Sequence, residues 1–517
     1  MKIKLISVAA MAVCGSSAFA ACDSSTALLL VNTCAPEVTV YMAGASAQAP
    51  ALKTVMLATS TVFDTTKPFA IVTNTADGGL STTTNTLGAK NTTIYYGTSA
   101  AGKRTAVVYN VANGSFAGVK QMTEGTGTGT LFNEQISQGL LTAAQQKEGT
   151  ALTCAAAAAP TVSGYTLSTQ ASAVVCPVVP FTYTTTAPAG GVKGVQLALA
   201  DVAPNQASLG VLTAGKWTEK KFPLTVTGMQ GFGVMVNQAA LTALINREIA
   251  GGRMAGSCAS TTVASTSMTA ACQPNLSHAD MTALVTGKAT GATFGVAADA
   301  PIVYYRRVPF SGTQASSNIT FAGQAATEGF KAADIISGKV TATGYATLAD
   351  AGAVTTAGDY VNTVGNFTTH SKVGSGDVIT GVSAPTIPGV VTTPVNTLAF
   401  GVVSLEKVYP ADTKNTTWVK LGGISPNFKA DGTLDSKQRF GMQAGYPMQF
   451  EMVAIKNAAN DKTPALKAVV DAIVTGLANP TYNLAGIAYI GSTDATKKAV
   501  YTRGGKGNNY APLTIAD

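Results

Sequence analysis

Charged residues, histidine and tryptophan are scarce in this chain of 517 residues. Asp, Glu, Lys and Arg together make up 12% of it, whereas they make up about 25% of an average globular protein. Histidine occurs twice, as His278 and His370, and no group of Cys and His has the spacing of a metal site. Both histidines are predicted to lie at the surface or in loops. We therefore predict a protein that is not an enzyme and that carries no metal or cofactor.

Long apolar runs and basic clusters are also lacking. After the first twenty residues, no apolar run reaches the roughly 20 residues that a membrane-spanning helix needs. The formal net charge is +8, but no run of Lys and Arg concentrates it, which argues against a nucleic-acid partner. We expect neither a membrane span nor nucleic-acid binding.

The N-terminus has the pattern of a secretory signal peptide. Lys2 and Lys4 precede an apolar stretch over residues 5–13, and the triplet Ala18-Phe19-Ala20 follows it. Residues 1–20 are therefore predicted to be removed, which lowers the net charge from +8 to +6. The expected location is the periplasm, the cell surface or the medium.

Cysteine usage fits an oxidising compartment. Cys14 lies in the predicted signal peptide, and the remaining cysteines form three pairs that are close in sequence. The predicted disulfides are Cys22–Cys34, Cys154–Cys176 and Cys258–Cys272. A lipid anchor on Cys22 is the alternative, although Phe19 stands where lipoprotein signals usually carry an aliphatic residue.

Short apolar runs alternate with segments of helical periodicity. The runs predict buried strands over residues 38–43, 106–111, 194–200, 231–236, 301–307, 398–403 and 450–455. Helices are predicted over 239–249, over 277–287 with Ser277 as N-cap, and over 463–477 with Pro464 at the first position. Stretches rich in Thr, Gly and Ala are predicted to be surface loops or insertions, at 74–90, 123–130, 150–190, 258–272 and 340–395. The alternation predicts an α/β architecture with largely parallel sheets.

Candidate binding residues stand where the predicted strands end. Ligands of α/β sheets bind where strand ends meet helix N-termini, because free backbone N–H groups collect there. Four such turns carry small, hydroxyl or charged residues, and their candidate residues are Ser46 and Gln48, Ser115, Asp201, and Arg307 with Ser311, Gly312 and Thr313. Arginine, hydroxyls and a glycine N–H can surround an oxyanion.

These turns, in this order, resemble those of the substrate-binding proteins of bacterial phosphate ABC importers. That family has a Gly-Ala-Gly turn after its first strand and the motif Gly-Ser-Ser-Gly-Gly-Val-Lys-Gln, which here reads Gly-Ser-Phe-Ala-Gly-Val-Lys-Gln from position 114. Its Ser-Asp-Ala-Pro is matched by Ala-Asp-Val-Ala-Pro from position 200, and its Arg-Arg-x-Asp-Gly-Ser-Gly-Thr by Arg-Arg-Val-Pro-Phe-Ser-Gly-Thr from position 306. Segments 398–406, 424–427 and 446–455 resemble later motifs of the family.

The resemblance implies a two-lobed periplasmic binding protein of type II, with mixed sheets flanked by helices. Lobe 1 would comprise residues 36–222 and 442–517, with an insertion near 123–190. Lobe 2 would comprise residues 223–441, with an insertion near 340–395. The implied function is capture of an oxyanion between the lobes, with phosphate as the leading candidate and an ABC permease as the recipient.

Ligand roles follow from the same resemblance. Arg307 would pair with the oxyanion and with Asp201, Gly312 would donate its backbone N–H, and hydroxyl groups would come from Ser115, Ser311 and Thr313. A carboxylate only accepts hydrogen bonds, so Asp201 would favour an anion that keeps a proton over sulfate.

Two departures from the family pattern leave alternatives open. Gln48 stands at the family's Thr and Ala49 at its Phe, while Pro309-Phe310 replace Asp-Gly. The ligand could therefore be another oxyanion or a molecule bearing a phosphate. Asp201 and Arg307 could instead form a buried salt bridge that needs no ligand. The alternative function is a cell-surface or extracellular structural protein, built on the same fold with an altered site.

Overall fold

The structure is a computed structural model whose described residues contain three clusters of buried apolar side chains. It describes residues 36–58, 62–64, 66–67, 69–74, 92–111, 114–124, 155–156, 161–162, 165–166, 173–178, 195–204, 217–264, 267–308, 311–322, 340–341, 344–345, 360–372, 374–503 and 513–515. The predicted signal peptide, the predicted pair Cys22–Cys34 and Cys154 lie outside these ranges. The signal peptide and the disulfides Cys22–Cys34 and Cys154–Cys176 therefore remain predictions.

The helices of the described residues are numbered α1 to α8 in chain order. They are Ala49–Leu57, Ser115–Glu124, Gln238–Ala250, His278–Val285, Gly312–Phe321, Ser375–Ser383, Phe440–Gln443 and Pro464–Leu477.

The strands of the described residues are numbered β1 to β23. They are Val38–Gly44, Phe69–Asn74, Thr92–Thr98, Arg104–Asn110, Ala155–Ala156, Thr161–Val162, Tyr165–Thr166, Ala173–Val178, Leu197–Ala200, Leu224–Val236, Asn275–Leu276, Ile302–Arg307, Val340–Thr341, Gly344–Tyr345, Tyr360–Val364, Phe367–Lys372, Leu398–Ser404, Thr417–Trp418, Lys420–Leu421, Gln449–Lys456, Ile487–Ala488, Tyr501–Thr502 and Thr514–Ile515.

One mixed sheet carries most of these strands. Its order is β15-β16-β12-β17-β10-β20-β9-β1-β4-β3-β2-β8-β5, with β18 and β21 also paired to β10. Pairing is parallel between β1 and both β4 and β9, and between β12 and both β16 and β17. Pairing is antiparallel where β10 meets β17 and β20. The predicted α/β class with mixed sheets flanked by helices is confirmed, although the sheet is less parallel than the strand and helix pattern indicated.

The long strand β10 brings two sets of strand ends together. Its first half pairs with β20, which in turn pairs with β9 so that Ala200 lies opposite Val453. Its second half pairs with β17 so that Ser404 lies opposite Phe232. In these registers β9 and β17 both point toward the middle of β10, so their carboxyl ends approach it from opposite sides. We call the region where these strand ends meet the seam. It also receives the carboxyl ends of β1 and β4, which run parallel to β9, and of β12 and β16, which run parallel to β17.

Apolar packing fixes this seam from both faces. Helices α1 and α8 pack together against β1 through fully buried residues such as Val40, Leu52, Val55 and Ile473. Each such side chain contributes about 1.5–3 kcal/mol relative to an exposed one. Gly118 allows α2 to pack closely on β1, because a Cβ there would lie 2.6 Å from the backbone of Ala43.

Part of the stretch 340–395 is regular structure, although it was predicted to be a loop insertion. Within it β15 and β16 extend the main sheet, and α6 packs on β12 and β17. The prediction that His370 lies at the surface or in a loop is wrong. His370 is buried in β16, and its ring stacks on that of Tyr305 at a centroid distance of 4.6 Å. His278 is exposed, as predicted.

The predicted disulfide between Cys258 and Cys272 is confirmed, with Cα atoms 5.2 Å apart. Cys176 lies in β8, within a stretch that was predicted to be a loop. Within the described ranges, no group of His, Cys, Asp and Glu could hold a metal ion. The same residues include no helix with the length and apolarity to cross a bilayer.

Removing the Cys258–Cys272 disulfide is expected to lower stability measurably. The bond joins residues 14 positions apart, and closing a loop of about 15 residues contributes about 3 kcal/mol. The double variant Cys258→Ser, Cys272→Ser should therefore unfold at lower denaturant concentration. Ser257→Ala, at an exposed neighbouring position, is the matched control. Equal unfolding free energies for the double variant and this control would contradict the prediction.

Candidate anion-binding site

Two helix N-termini meet at the seam. Helix α2 begins at Ser115, soon after β4, and α5 begins at Gly312, soon after β12. The backbone N–H of Gly312 donates to Ser115 Oγ at 3.2 Å. A Cβ on Gly312 would lie 2.6 Å from Ser115 Oγ and 2.9 Å from Asp201 Cβ, so only glycine fits there. The positive ends of both helix dipoles therefore point at one place.

Asp201 reaches the same place from the end of β9. It is 3% exposed, and its backbone N–H also donates to Ser115 Oγ, at 3.4 Å. Its carboxyl atom Oδ1 is buried and has no hydrogen-bond partner among the described residues. A buried acceptor without a donor is unfavourable, so this oxygen is suited to a donor from outside the protein.

Burial raises the pKa of Asp201 to about 7, and the negative charge of Glu406 adds to the effect. The positive charge of Arg307 and the polar side chains of Ser115 and Gln48 nearby act in the opposite direction. Desolvation thus outweighs the attraction of the nearby arginine.

Arg307 ends β12 and is held by neighbours on three sides. Its Nη1 donates to Ser375 Oγ at 3.0 Å, its Nε to the carbonyl of Lys372 at 3.3 Å, and its backbone N–H to Gln314 Oε1 at 3.1 Å. Burial lowers its pKa, while Asp201, Asp377 and Glu406 raise it. A guanidinium stays protonated in proteins, so the site contains a fixed buried cation.

The turn after β1 contributes Gln48. Residues Ser46–Gln48 form one 3₁₀ turn that leads into α1, and Tyr109 Oη holds this turn by donating to the carbonyl of Ala45 at 2.5 Å. Gln48 is fully buried, and within the described ranges neither Nε2 nor Oε1 has a hydrogen-bond partner. Ser46 is half-buried.

The turn before α5 brings further hydroxyl groups. Ser311 is the N-cap of α5, yet its side chain makes no capping hydrogen bond. Ser311 and Thr313 are each 1% exposed. The departures Pro309 and Phe310 lie outside the described residues. Candidates predicted from the sequence thus come together from the ends of β1, β4, β9 and β12.

Two further residues of the seam, Ser375 and Glu406, were not among the predicted candidates. Ser375 Oγ accepts from Arg307 and lies 3.4 Å from Ser404 Oγ. It begins α6 inside the stretch that was predicted to be an insertion, although Gly-Ser-Gly-Asp before an apolar segment is typical of a helix start. Glu406 ends the segment 398–406 that carried the resemblance, but no ligand role was assigned to it.

Comparisons with known proteins give a weak structural likeness. No protein-family model and no curated protein sequence matches the chain. It is similar to a solved ABC-type phosphate transport receptor from Vibrio cholerae, at 10% identity and a TM-score of 0.32, over 84% of this chain and 93% of that one. It is also similar to a phosphate-binding protein from Stenotrophomonas maltophilia, at 11% identity and a TM-score of 0.37, over 85% of this chain and 83% of that one. At this level of similarity the neighbours carry no argument about function, which depends on the residues of the site.

The raised pKa of Asp201 predicts a pH-dependent stability of the ligand-free protein. In an unfolded chain this carboxyl ionises near 3.8, whereas in the fold it ionises near 7. Its protonated form is therefore favoured by folding, and that stabilisation is complete below about pH 4 and is lost as the pH rises through about 7. The unfolding free energy of the wild type should fall relative to Asp201→Asn across this window, by up to about 4 kcal/mol at about 1.4 kcal/mol per pKa unit.

Denaturant unfolding of dialysed protein between pH 4 and pH 8 measures this difference. Asp299→Asn, at an exposed position, is the control and should track the wild type at every pH. A constant gap between wild type and Asp201→Asn would contradict the raised pKa.

Proposed function

We propose that the protein is an exported solute-binding protein that captures an oxyanion, with phosphate as the leading candidate. The observation that carries this proposal is the meeting of the N-termini of α2 and α5 at Ser115 Oγ, beside the buried Arg307 and Asp201. Helix N-termini and a guanidinium supply the N–H donors and positive charge that bind an anion with three or four oxygen atoms.

The two sets of strand ends fit capture between lobes. Gln48, Ser115 and Asp201 belong to the first proposed lobe, residues 36–222 with 442–517. Arg307, the Ser311–Thr313 turn and Ser375 belong to the second, residues 223–441. An anion bound among them would join the lobes, and the fold would close around it by a hinge. Delivery to an ABC permease is the corresponding role outside the cytoplasm.

Asp201 supports selection for an anion that retains a proton. Its unpartnered oxygen can only accept when the carboxyl is ionised. Hydrogen phosphate offers a proton to it, whereas sulfate would place a bare oxygen against it. Such a contact discriminates through repulsion as well as attraction.

Ser115→Ala is expected to weaken phosphate binding about 10- to 100-fold, because a hydrogen bond to a charged group contributes about 1.5–3 kcal/mol. Calorimetric titration of phosphate into dialysed protein measures the affinity, and sulfate in the same experiment should bind less tightly. Ser316→Ala is the matched control, since this buried serine of α5 donates to the carbonyl of Thr313, within its own helix, at 2.7 Å.

The proposal also predicts thermal stabilisation by phosphate. Ligand at about 100 times its dissociation constant adds about 2.7 kcal/mol to the folded state. The absence of both a heat of binding and thermal stabilisation at millimolar phosphate or arsenate would overturn the proposed function. Equal loss of affinity in Ser115→Ala and Ser316→Ala would remove Ser115 from the site.

A further inference from the structure

Glu406 lies on the loop that follows β17, at the seam opposite Asp201. Ser404 pairs with Phe232 in β10, and Leu405 donates its backbone N–H to the carbonyl of Gly231. The chain therefore reaches the middle of β10 at Glu406. Asp201 approaches β10 from the other side, across β20, because Ala200 lies opposite Val453, whose partner in β10 is Val226. Two acidic side chains thus flank one seam.

A chain of hydroxyl groups connects Glu406 to the arginine of the site. Arg307 Nη1 donates to Ser375 Oγ, and that atom lies 3.4 Å from Ser404 Oγ. The Ser404 hydroxyl in turn lies beside the Glu406 carboxyl. The side chain of Glu406 is 8% exposed, and Lys407 Nζ lies 3.7 Å from its Oε1. Its other oxygen, Oε2, is buried and has no hydrogen-bond partner in the part of the chain that the structure describes.

The seam therefore contains buried hydrogen-bond acceptors without partners on two acidic residues, Asp201 and Glu406. In the side chains of Asp201, Glu406 and Gln48, three buried acceptors, Asp201 Oδ1, Glu406 Oε2 and Gln48 Oε1, and one buried donor, Gln48 Nε2, have no partner among the described residues. Hydrogen phosphate carries a single O–H group. A ligand with two O–H groups matches two carboxylates better, because each buried acceptor then receives a donor.

We propose that Glu406 is a second acceptor carboxylate of the anion site, and that the bound anion and the carboxyl groups of Asp201 and Glu406 together hold two protons. Dihydrogen phosphate with both carboxylates ionised satisfies this count, and so does hydrogen phosphate with one carboxyl protonated. The inference rests on the proposed function and specifies its ligand as a phosphate-like anion that is bound in a doubly protonated site.

The charges that face Glu406 agree with this count. Burial raises its pKa, whereas Lys407 and Arg307 lower it. The negative charge of Glu406 also raises the pKa of Asp201. The pKa of Tyr109 is raised mainly by burial, then by Asp201, and to a smaller extent by Tyr95 and Glu406. The two carboxyl groups therefore oppose each other's ionisation and share one guanidinium, the arrangement in which such a pair retains a proton.

Proton uptake on phosphate binding tests the inference. At about pH 9, where free phosphate carries one proton, wild-type binding should take up about one proton per phosphate. Calorimetry of phosphate in two buffers of different ionisation enthalpy gives this number. Glu406→Gln keeps the shape of the side chain but cannot hold the proton, so its uptake should fall to about zero, and its preference for phosphate over sulfate should fall about tenfold or more.

Glu248→Gln is the matched control, because Glu248 is also a largely buried glutamate; it lies on α3 and pairs with Arg253, which follows that helix. It should take up the same number of protons as the wild type. Should Glu406→Gln fail to fold, the wild type alone remains decisive, because its affinity must fall about tenfold per pH unit near pH 9.

The outcomes separate the two proposals. Wild-type binding without proton uptake, or unchanged uptake in Glu406→Gln, would overturn the role of Glu406 and leave phosphate binding in place. A wild type that binds no phosphate at all would overturn the proposed function, and this inference with it.

Discussion

Burial of the Arg307 guanidinium is the constraint on which the arrangement of the seam depends. A buried charge is costly unless hydrogen bonds and opposite charge surround it. Here the carbonyl of Lys372 and the hydroxyl of Ser375 accept from the guanidinium. The carboxyl groups of Asp201 and Glu406 supply the negative field. These partners come from different strand ends, so the cation can be accommodated only when β9, β16 and β17 finish near the end of β12.

The long strand β10 makes that arrangement possible. Because it pairs with β20 along its first half and with β17 along its second, it aligns two sets of strand ends at its middle. Gly231 and Gly233 in this strand face Leu405 and Trp418, and a Cβ on either would lie within 3 Å of those side chains. Close packing against β10 therefore fixes the loop that carries Glu406. The position of the charges is set by sheet register and not by flexible side chains alone.

Sequence patterns located the apolar elements well because burial imposes a recognisable period. The strand predicted over 398–403 and the helix predicted over 463–477 match Leu398–Ser404 and Pro464–Leu477. Strand β16 was not predicted, because Phe-Thr-Thr-His-Ser-Lys has too few apolar residues to indicate burial. Its residues Thr368 to Ser371 are nonetheless buried, since sheet pairing on both sides of β16 satisfies the backbone. For the same reason His370 could not be placed in the core from sequence alone.

The residues of the candidate site likewise fall into those that the sequence could indicate and those that it could not. Ser115, Asp201, Arg307 and Gly312 follow apolar strands, so periodicity and the order of the turns could point to them. Glu406 also follows an apolar strand, but its proposed role depends on the register that sets it opposite Asp201, and register is a tertiary property. Ser375 depends on a helix whose neighbouring strand carries no apolar signal.

The unpartnered atoms of the seam connect its stability to its selectivity. Without a ligand, the buried oxygens of Asp201 and Glu406 and the amide of Gln48 lack donors and acceptors among the described residues, and each such group opposes folding. An anion that offers protons to the carboxyl groups and oxygens to the helix N-termini removes these penalties together. An anion of the same shape without protons relieves only the donors and adds repulsion at both carboxylates. Under the proposed function, the same burial that raises the pKa of Asp201 therefore also makes the protonation of the anion the property that the site distinguishes.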